Sequence, residues 1–342
     1  MGLYRFSLIG CGRISKNHVE ALINNVDNCK LVALCDIVES KAVERKKQYE
    51  NSVVNSDIKV YTDYIQMLES EKIDAVSVCT ESGYHAKHAI DCLVYGKHVL
   101  IEKPMSLSLE DADRIIELGR EKNLKVGICH QNRFNSPIQK LRRAVEEGRF
   151  GKIINGTARI LWTRDQNYYN QAPWRGTRSL DGGTLMNQCI HNIDLLQWMM
   201  GSEVERVHCE RGTFLRNIEM EDFGAILIRF KNGSIGMVEG SACVYPKNLE
   251  ETLSIFGEKG TVVIGGLAVN KIQTWQFADE RDYDIEEGST EVDNVYGKGH
   301  IPLYKDFIYS IKNNREPYVG GEEGKKALKI IVDAYRGYTN ER

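Results

Sequence analysis

Residues 4–15 read YRFSLIGCGRIS, a short apolar run that ends in a Gly-x-Gly turn and opens a helix-like stretch. A strand, a tight turn and a helix start in this order are typical of the first unit of a dinucleotide-binding domain. Gly10 permits the turn, Gly12 lets the backbone approach a pyrophosphate, and Ser15 replaces the third glycine with a small side chain. The cofactor-binding residues predicted from this turn are Gly10, Gly12, Arg13 and Ile14.

The first third of the chain continues this pattern, with short β-branched runs alternating with helix-period stretches. Strands are predicted over residues 4–9, 30–35, 75–79, 98–101 and 125–129. Helices are predicted over residues 15–25, 39–50, 85–95 and 108–122. Alternation of this kind predicts a doubly wound parallel sheet, a Rossmann domain over residues 1–129.

After residue 130 the strand-like runs follow one another without crossover helices, which favours an open, mainly antiparallel sheet. These runs are residues 152–162, 204–214, 223–230, 234–243, 251–256 and 261–264. Helices are predicted over residues 137–147, 185–200 and 325–335. The fold class is therefore α/β plus α+β, with a second domain over residues 130–342.

Composition excludes several classes of protein. The 342 residues are 42% hydrophobic and 27% charged, with a formal net charge of -3, so no broad basic surface for nucleic acid is expected. Nine cysteines without a Cys-x-x-Cys pair argue against a zinc site, and no metal is expected. No apolar run is long enough to span a membrane, and the start lacks the apolar stretch of a secretory signal. A cytoplasmic protein is expected.

Asp36 ends the second predicted strand, 26 residues after Gly10. A carboxylate here can accept hydrogen bonds from ribose hydroxyls and repel a 2′-phosphate, which favours NAD over NADP. The alternative is a solvated aspartate at a strand end. Lys41 and Arg45 lie further on and could weaken the preference for NAD.

Glu102, Lys103 and Pro104 directly follow the strand at residues 98–101. Because ligands of open α/β sheets bind at the carboxyl ends of the strands, Lys103 is expected to point into the cofactor crevice. Its ammonium could donate to a sugar oxygen, stabilise a developing alkoxide or shuttle a proton. The alternative is a surface lysine whose ammonium is simply solvated by water.

The GCGRIS turn, Asp36, CTESGYH at residues 79–85 and EKP at residues 102–104 together resemble the Gfo/Idh/MocA oxidoreductase family. The resemblance covers essentially the whole chain. It implies a Rossmann domain, a C-terminal open-sheet domain that binds substrate and forms the oligomer, and a substrate between the two domains. It also places Thr80, His85 and Glu102 among the residues near the cofactor, although Glu81 stands where the family often has proline.

Residues 181–194, DGGTLMNQCIHNID, place Asn187 and His191 four positions apart on one predicted helix face. Taken alone, a histidine among apolar neighbours is more often a satisfied core group. The family resemblance implies a catalytic histidine at His191 and places Lys103 and Asn187 in the same catalytic centre. Many members have aspartate where this chain has Asn187, and an amide cannot take a proton, so proton transfer is left to His191 or Lys103.

Residues 161–178, LWTRDQNYYNQAPWRGTR, are dense in arginine and aromatic side chains, which suits an anionic ligand. The alternative is a set of aromatics at a domain or subunit interface. Together with QNRFN at residues 131–135, the stretch resembles the branch that acts as UDP-N-acetylglucosaminuronate 3-dehydrogenases. The expected substrate-binding residues are Lys103, Arg164, Tyr168, Tyr169, Arg175, Asn187 and His191.

That resemblance implies oxidation of the substrate's C3 hydroxyl by NAD in nucleotide-sugar biosynthesis, with a 2-oxo acid such as 2-oxoglutarate as a reoxidant of NADH and a homotetramer as the assembly. Two other functions remain open. One is a dehydrogenase of a free sugar or inositol, and the other is a non-catalytic subunit that binds NAD as a sensor. Residues 297–300, GKGH, are expected to form a mobile loop that could cover the site.

Overall fold

A computed structural model describes residues 2–284, 289 and 297–337. The chain divides into two compact units. Residues up to 130 form the first unit together with residues 300–325, and residues 131–299 form the second together with those from 326 onward. The predicted division into residues 1–129 and 130–342 lacks this return of residues 300–325 to the first unit. No helix among the described residues has the length and apolar character needed to cross a membrane.

The first unit contains a six-stranded, wholly parallel sheet in the order β3-β2-β1-β4-β5-β6. Its strands are β1 Tyr4–Ile9, β2 Cys29–Cys35, β3 Lys59–Tyr61, β4 Ala75–Val78, β5 His98–Ile101 and β6 Val126–Ile128. Its helices are α1 Ser15–Ile23, α2 Glu39–Glu50, α3 Tyr64–Ser70, α4 His85–Val94, α5 Leu109–Glu121 and α10 His300–Lys312. The predicted Rossmann sheet is confirmed. The elements of this unit that were not predicted are the short β3 and α3 and the longer helix α10.

The register of the central strands aligns the four loops that carry the predicted cofactor residues. Ile9 pairs with Cys35 on one side and with Val78 on the other, and Val78 pairs with Ile101. Because all four strands run in the same direction, the residues that follow them lie along one edge of the sheet.

The second unit contains a seven-stranded sheet in the order β13-β12-β11-β7-β10-β9-β8. Its strands are β7 Ile153–Leu161, β8 Val204–Gly212, β9 Phe223–Phe230, β10 Ile235–Ser241, β11 Glu250–Gly257, β12 Gly260–Gly265 and β13 Lys271–Phe277. Only the β7–β10 pair is parallel, so the predicted mainly antiparallel sheet is confirmed. The sequence analysis missed the edge strand β13.

Helices of the second unit are α6 Ser136–Glu146, α7 Gln166–Asn170, α8 Thr184–Asn187 and α9 Ile190–Met200, and α11 spans Gly321–Gly337. The single helix predicted over residues 185–200 is wrong, because the chain leaves the helix at Gln188 and Cys189 and starts a new one. The amide of Cys189 donates to the carbonyl of Thr184, five residues back, which widens the turn. Helix α9 packs against the sheet at Gly156, where a Cβ would collide with Leu196.

Candidate functional site

The glycine turn after β1 leaves the backbone open toward the edge of the sheet. Gly10 has φ of 90°, and a Cβ there would lie 2.7 Å from the carbonyl carbon of Cys79, so only glycine fits. A Cβ on Gly12 would meet no atom within 4 Å. Ser15 Oγ donates to the Gly12 carbonyl at 2.6 Å and fixes the start of α1. An open turn at a helix start fits a pyrophosphate.

Asp36 lies beside this turn, half-buried at the end of β2. Its Oδ2 accepts from the amide of Cys11 and its Oδ1 from the amide of Val38, both at 2.8 Å. Each oxygen keeps a further lone pair that can accept from a ribose hydroxyl. The turn and the carboxylate therefore fit the diphosphate and the adenosine ribose of NAD. Arg13 is exposed and Ile14 is half-buried in the same turn.

Replacing Asp36 by asparagine should raise the KM for NAD about tenfold, because hydrogen bonds to a charged acceptor are lost. The ratio of kcat/KM for NAD to that for NADP should fall, since the charge that repels a 2′-phosphate is gone. Steady-state kinetics with both cofactors measures this. Asp57→Asn, whose side chain is 81% exposed, is the control. An unchanged NAD KM and cofactor ratio would contradict the role of Asp36.

The Glu102-Lys103-Pro104 turn follows β5 at the same edge. Lys103 is half-buried there. The Glu102 carboxylate is buried, with its Oε1 2.9 Å from His18 Nε2 and 3.4 Å from His300 Nε2, and its Oε2 accepts from the amide of Lys103 at 3.2 Å. Burial alone would raise the pKa of Glu102, but the hydrogen bonds from both histidines outweigh it and hold that pKa well below its usual range.

A chain of buried hydrogen bonds continues from Glu102 through the first unit. His18 Nδ1 lies 2.8 Å from the Tyr304 hydroxyl, which lies 2.5 Å from Ser77 Oγ. Ligand atoms of His18, Glu102 and Cys129 lie within 4.8 Å of one another, a spacing that could hold a metal ion. Direct hydrogen bonds already link the imidazole and the carboxylate, and burial raises the pKa of the Cys129 thiol. The arrangement thus supports the turn that carries Lys103.

His300 belongs to this buried chain. Its side chain is 2% exposed and it begins α10. The predicted mobile loop over residues 297–300 is therefore wrong for His300, because the carboxylate of Glu102 fixes its ring. The sequence analysis could not identify this contact, since the two residues are 198 positions apart.

The loop at residues 79–85 is tied to the same turn. His85 is buried, with Nδ1 2.7 Å from the Pro104 carbonyl and Nε2 2.9 Å from the Thr80 carbonyl. Burial lowers the pKa of His85. Thr80 is half-buried, and its Oγ1 lies 3.0 Å from His88 Nδ1. In the structure, His85 thus holds two predicted cofactor loops together.

In the second unit, Asn187 ends α8 and His191 lies in the first turn of α9, and both are half-buried. Asn187 Nδ2 donates to one oxygen of Asp181, and the other oxygen accepts from the amide of Gly176 at 2.6 Å. Asp181 therefore fixes the Asn187 amide and keeps its carbonyl oxygen oriented. No role for Asp181 was predicted, and its only signal in the sequence was an acidic residue next to two glycines.

Asp194, three residues after His191, forms a bidentate ion pair with Arg133 at 2.7 and 2.6 Å. Both side chains are at most 1% exposed, and the guanidinium also lies 4.7 Å from the ring centre of Trp198. The pair locks α9 to the segment that precedes α6. Residues 131–135 thus include a structural partner of the helix that carries His191.

The segment between β7 and α8 brings the predicted arginines and Tyr168 together. Two guanidiniums lie close to the ring of Tyr168, with Arg164 at 5.1 Å and Arg175 at 4.3 Å from its centre. Arg175 Nη1 donates to the Tyr168 hydroxyl at 2.6 Å. Tyr169 is only 5% exposed and packs edge-on against Tyr168, so it supports the ring and offers little surface to a ligand.

The two guanidiniums of this segment lack acidic partners. Among the described residues, no carboxylate lies within ion-pair distance of Arg164 or Arg175. In the same part of the chain, their Nε atoms are buried without a hydrogen-bond partner. Two half-buried positive charges without a counter-charge favour an anionic ligand.

Glu251 is a buried acid that the sequence analysis missed. It lies in β11 and is 5% exposed, and among the described residues its Oε2 has no hydrogen-bond partner. Burial raises its pKa to about 8, and Arg164 opposes this shift only weakly. An acidic residue at the start of a predicted strand is expected to be exposed. The burial of Glu251 therefore had no signal in the sequence.

Comparison with known proteins adds two family matches. Residues 4–130 match the model of an oxidoreductase family with an NAD-binding Rossmann fold, and residues 138–263 match the GFO/IDH/MocA C-terminal domain.

Two solved structures share the fold over 98% of this chain. The WlbA dehydrogenase from Bordetella pertussis, in complex with NADH and UDP-GlcNAcA, is 38% identical, with a TM-score of 0.90 and 95% of its chain covered. The WlbA dehydrogenase from Chromobacterium violaceum, with the same two ligands, is 36% identical, with a TM-score of 0.89 and 93% covered. Myo-inositol 2-dehydrogenase from Thermotoga maritima is 29% identical over 99% of this chain and 97% of its own.

Proposed function

Because the chain belongs to the Gfo/Idh/MocA oxidoreductase family and carries an NAD-binding Rossmann domain, we propose that it oxidises a nucleotide sugar. The proposed substrate is UDP-N-acetylglucosaminuronic acid (UDP-GlcNAcA), and the proposed product is its 3-keto derivative. The reaction would serve nucleotide-sugar biosynthesis for polysaccharides, with 2-oxoglutarate as a possible acceptor of electrons from NADH. A homotetramer is the proposed assembly.

The observation that carries this proposal is the two guanidiniums near Tyr168, for which the described residues provide no acidic partner. UDP-GlcNAcA has a diphosphate and a carboxylate that can neutralise them, whereas inositol and free neutral sugars have no charge to offer. The two WlbA structures at 38% and 36% identity, each with UDP-GlcNAcA, support the same substrate class.

In the proposed mechanism, His191 accepts the proton of the C3 hydroxyl. Lys103 donates a hydrogen bond to the substrate and stabilises the negative charge that develops as the proton leaves. Asn187, fixed by Asp181, orients the substrate but cannot act as the base. NAD, when bound at the turn after β1, supplies the hydride acceptor. The protein's own share of catalysis is positioning and electrostatics.

The test is the formation of NADH after the purified protein is mixed with NAD and UDP-GlcNAcA, followed by absorbance, with and without 2-oxoglutarate. UDP-N-acetylglucosamine and myo-inositol are the parallel substrates. We expect NADH, or 2-hydroxyglutarate in the presence of the 2-oxo acid, with the uronate only. Arg175→Gln should weaken use of the uronate at least tenfold. Arg178→Gln, an exposed arginine nearby, is the control.

A dehydrogenase of inositol is the second candidate, favoured by the inositol dehydrogenases from Thermotoga maritima and Bacillus subtilis at 29% and 25% identity. Turnover with inositol alone would establish an inositol dehydrogenase. The arginine segment at residues 161–178 would then have a function other than binding the substrate. NAD binding without turnover of any sugar would instead favour a sensor.

A further inference from the structure

The loop between β8 and β9 carries a third arginine, Arg216, and is hydrogen-bonded to the segment that contains Tyr168. We propose that Arg216 binds the diphosphate of the substrate, so that Arg164, Arg175 and Arg216 together match a ligand with three negative charges. The proposal extends the nucleotide-sugar function proposed above and rests on it for the identity of the substrate.

Hydrogen bonds fix the loop that carries Arg216. The Asp222 carboxylate accepts from three successive amides, those of Phe214, Leu215 and Arg216, at 2.8 to 2.9 Å. Thr213 Oγ1 donates to the Met220 carbonyl at 2.7 Å and closes the loop. The amide dipoles offset the charge of Asp222, so this carboxylate is a weak competitor for the guanidinium.

The same loop is joined to the arginine-aromatic segment at several points. The Asn217 amide donates to Gln166 Oε1 at 2.8 Å, two residues before Tyr168. The amides of Glu219 and Met220 donate to the carbonyl of Gly176, next to Arg175. These bonds all follow Arg216 in the chain, and they fix the part of the loop directly after it to residues 166 and 176 of the segment.

The guanidinium of Arg216 and the backbone of Arg164 meet at one carbonyl group. Arg216 Nη2 lies 3.4 Å from the carbonyl oxygen of Ala242, which also accepts from the Arg164 amide at 2.9 Å. Within the described ranges, Arg216 Nε is buried without a hydrogen-bond partner, and no carboxylate lies within ion-pair distance of the group. Arg216 thus shares both features that mark Arg164 and Arg175.

The positions of Arg164 and Arg216 indicate that they bind different groups of the substrate. The Tyr168 ring, whose centre lies 5.1 Å from the Arg164 guanidinium, accepts through its hydroxyl from Gln188 Nε2 at 3.5 Å, so Arg164 lies toward the helices that carry Asn187 and His191. Arg216 follows Phe214 and Leu215, which are 69% and 63% exposed, and thus lies on the solvent side of the cluster. A UDP-uronate carries two charges on its diphosphate and one on its carboxylate. Arg216 therefore fits the diphosphate.

Calorimetric titration with UDP tests this assignment without any need for turnover. Arg216→Gln should weaken the binding of UDP about tenfold or more, and should weaken UDP-N-acetylglucosamine and UDP-GlcNAcA by the same factor. Arg216→Lys should recover part of the loss. Arg178→Gln should bind UDP as the wild type does, and equal melting temperatures exclude a folding defect.

Unchanged UDP binding by Arg216→Gln, or no UDP binding by the wild type, would overturn the proposal. A loss confined to UDP-GlcNAcA would also overturn it, because Arg216 would then bind the carboxylate. If Arg216→Gln weakens UDP binding but UDP-GlcNAcA is never oxidised, the diphosphate site stands and only the proposed function fails.

Discussion

Replacing Lys103 by alanine should lower kcat by about 100-fold or more while NAD still binds. The ammonium is the donor proposed to stabilise the oxygen that becomes negative as its proton leaves, and loss of one such donor costs this much in other enzymes. Lys103 lies in the turn after β5, at the edge of the sheet shared with Gly10 and Asp36. The measurement is kcat with saturating NAD and the substrate identified by the NADH assay, together with the dissociation constant of NAD.

Lys97→Ala, just before β5, is the matched control and should keep kcat. Lys103→Arg separates charge from geometry, since a guanidinium keeps the positive charge but is wider and planar. Near-normal turnover of Lys103→Ala would remove Lys103 from the mechanism. A loss of NAD binding equal to the loss of kcat would make it a cofactor ligand only.

The first unit could be predicted closely because its signals are local. Apolar runs of four to seven residues, each followed by a turn and a helix-period stretch, identify the parallel strands. Strand β3 was not predicted because it has only three residues, at the edge of the sheet. The place of α10 in the first unit was not predicted because this helix returns to it from far along the chain. Nothing local in residues 300–312 indicates that their partners precede them by 200 positions.

In the candidate site, too, the residues with local signals could be predicted and the others could not. Gly10, Gly12 and Asp36 follow from the turn and strand pattern, Lys103 from its place directly after a strand, and His191 from the family resemblance. The grouping of Tyr168 with two arginines could be suspected from composition, but the lack of carboxylate partners among the described residues could not. The break between α8 and α9 was missed because its residues, Gln188 and Cys189, are compatible with a helix, and a wide turn at Thr184 ends it.

Replacing Glu251 by glutamine should remove a loss of stability that the wild type suffers as pH rises. Glu251, Leu253 and Ile255 alternate along β11 and are at most 5% exposed, whereas Glu250 faces the other side and bonds to Arg159. In the folded chain the pKa of Glu251 is about 8, because burial disfavours the charge. In the unfolded chain it ionises near its ordinary value of 4.5.

The sign follows from proton binding. Between pH 4.5 and about 8 the folded state holds a proton that the unfolded state has released, so the free energy of unfolding falls as pH rises. The contribution is fully present below pH 4.5, is lost progressively up to about pH 8, and is constant above that. At about 1.4 kcal/mol per pH unit, the full loss amounts to at most about 5 kcal/mol.

Urea unfolding of the wild type and Glu251→Gln at several pH values from 5 to 9 measures this loss. The difference in unfolding free energy should grow in favour of the variant as pH rises toward 8, since glutamine has the same shape and never ionises. Glu250→Gln, on the opposite face of the same strand, is the matched control and should not show this growth. A difference that is independent of pH would mean that Glu251 ionises alike in both states. The carboxyl group would then be a charged partner of Arg164, and Arg164 would have less charge to offer a substrate.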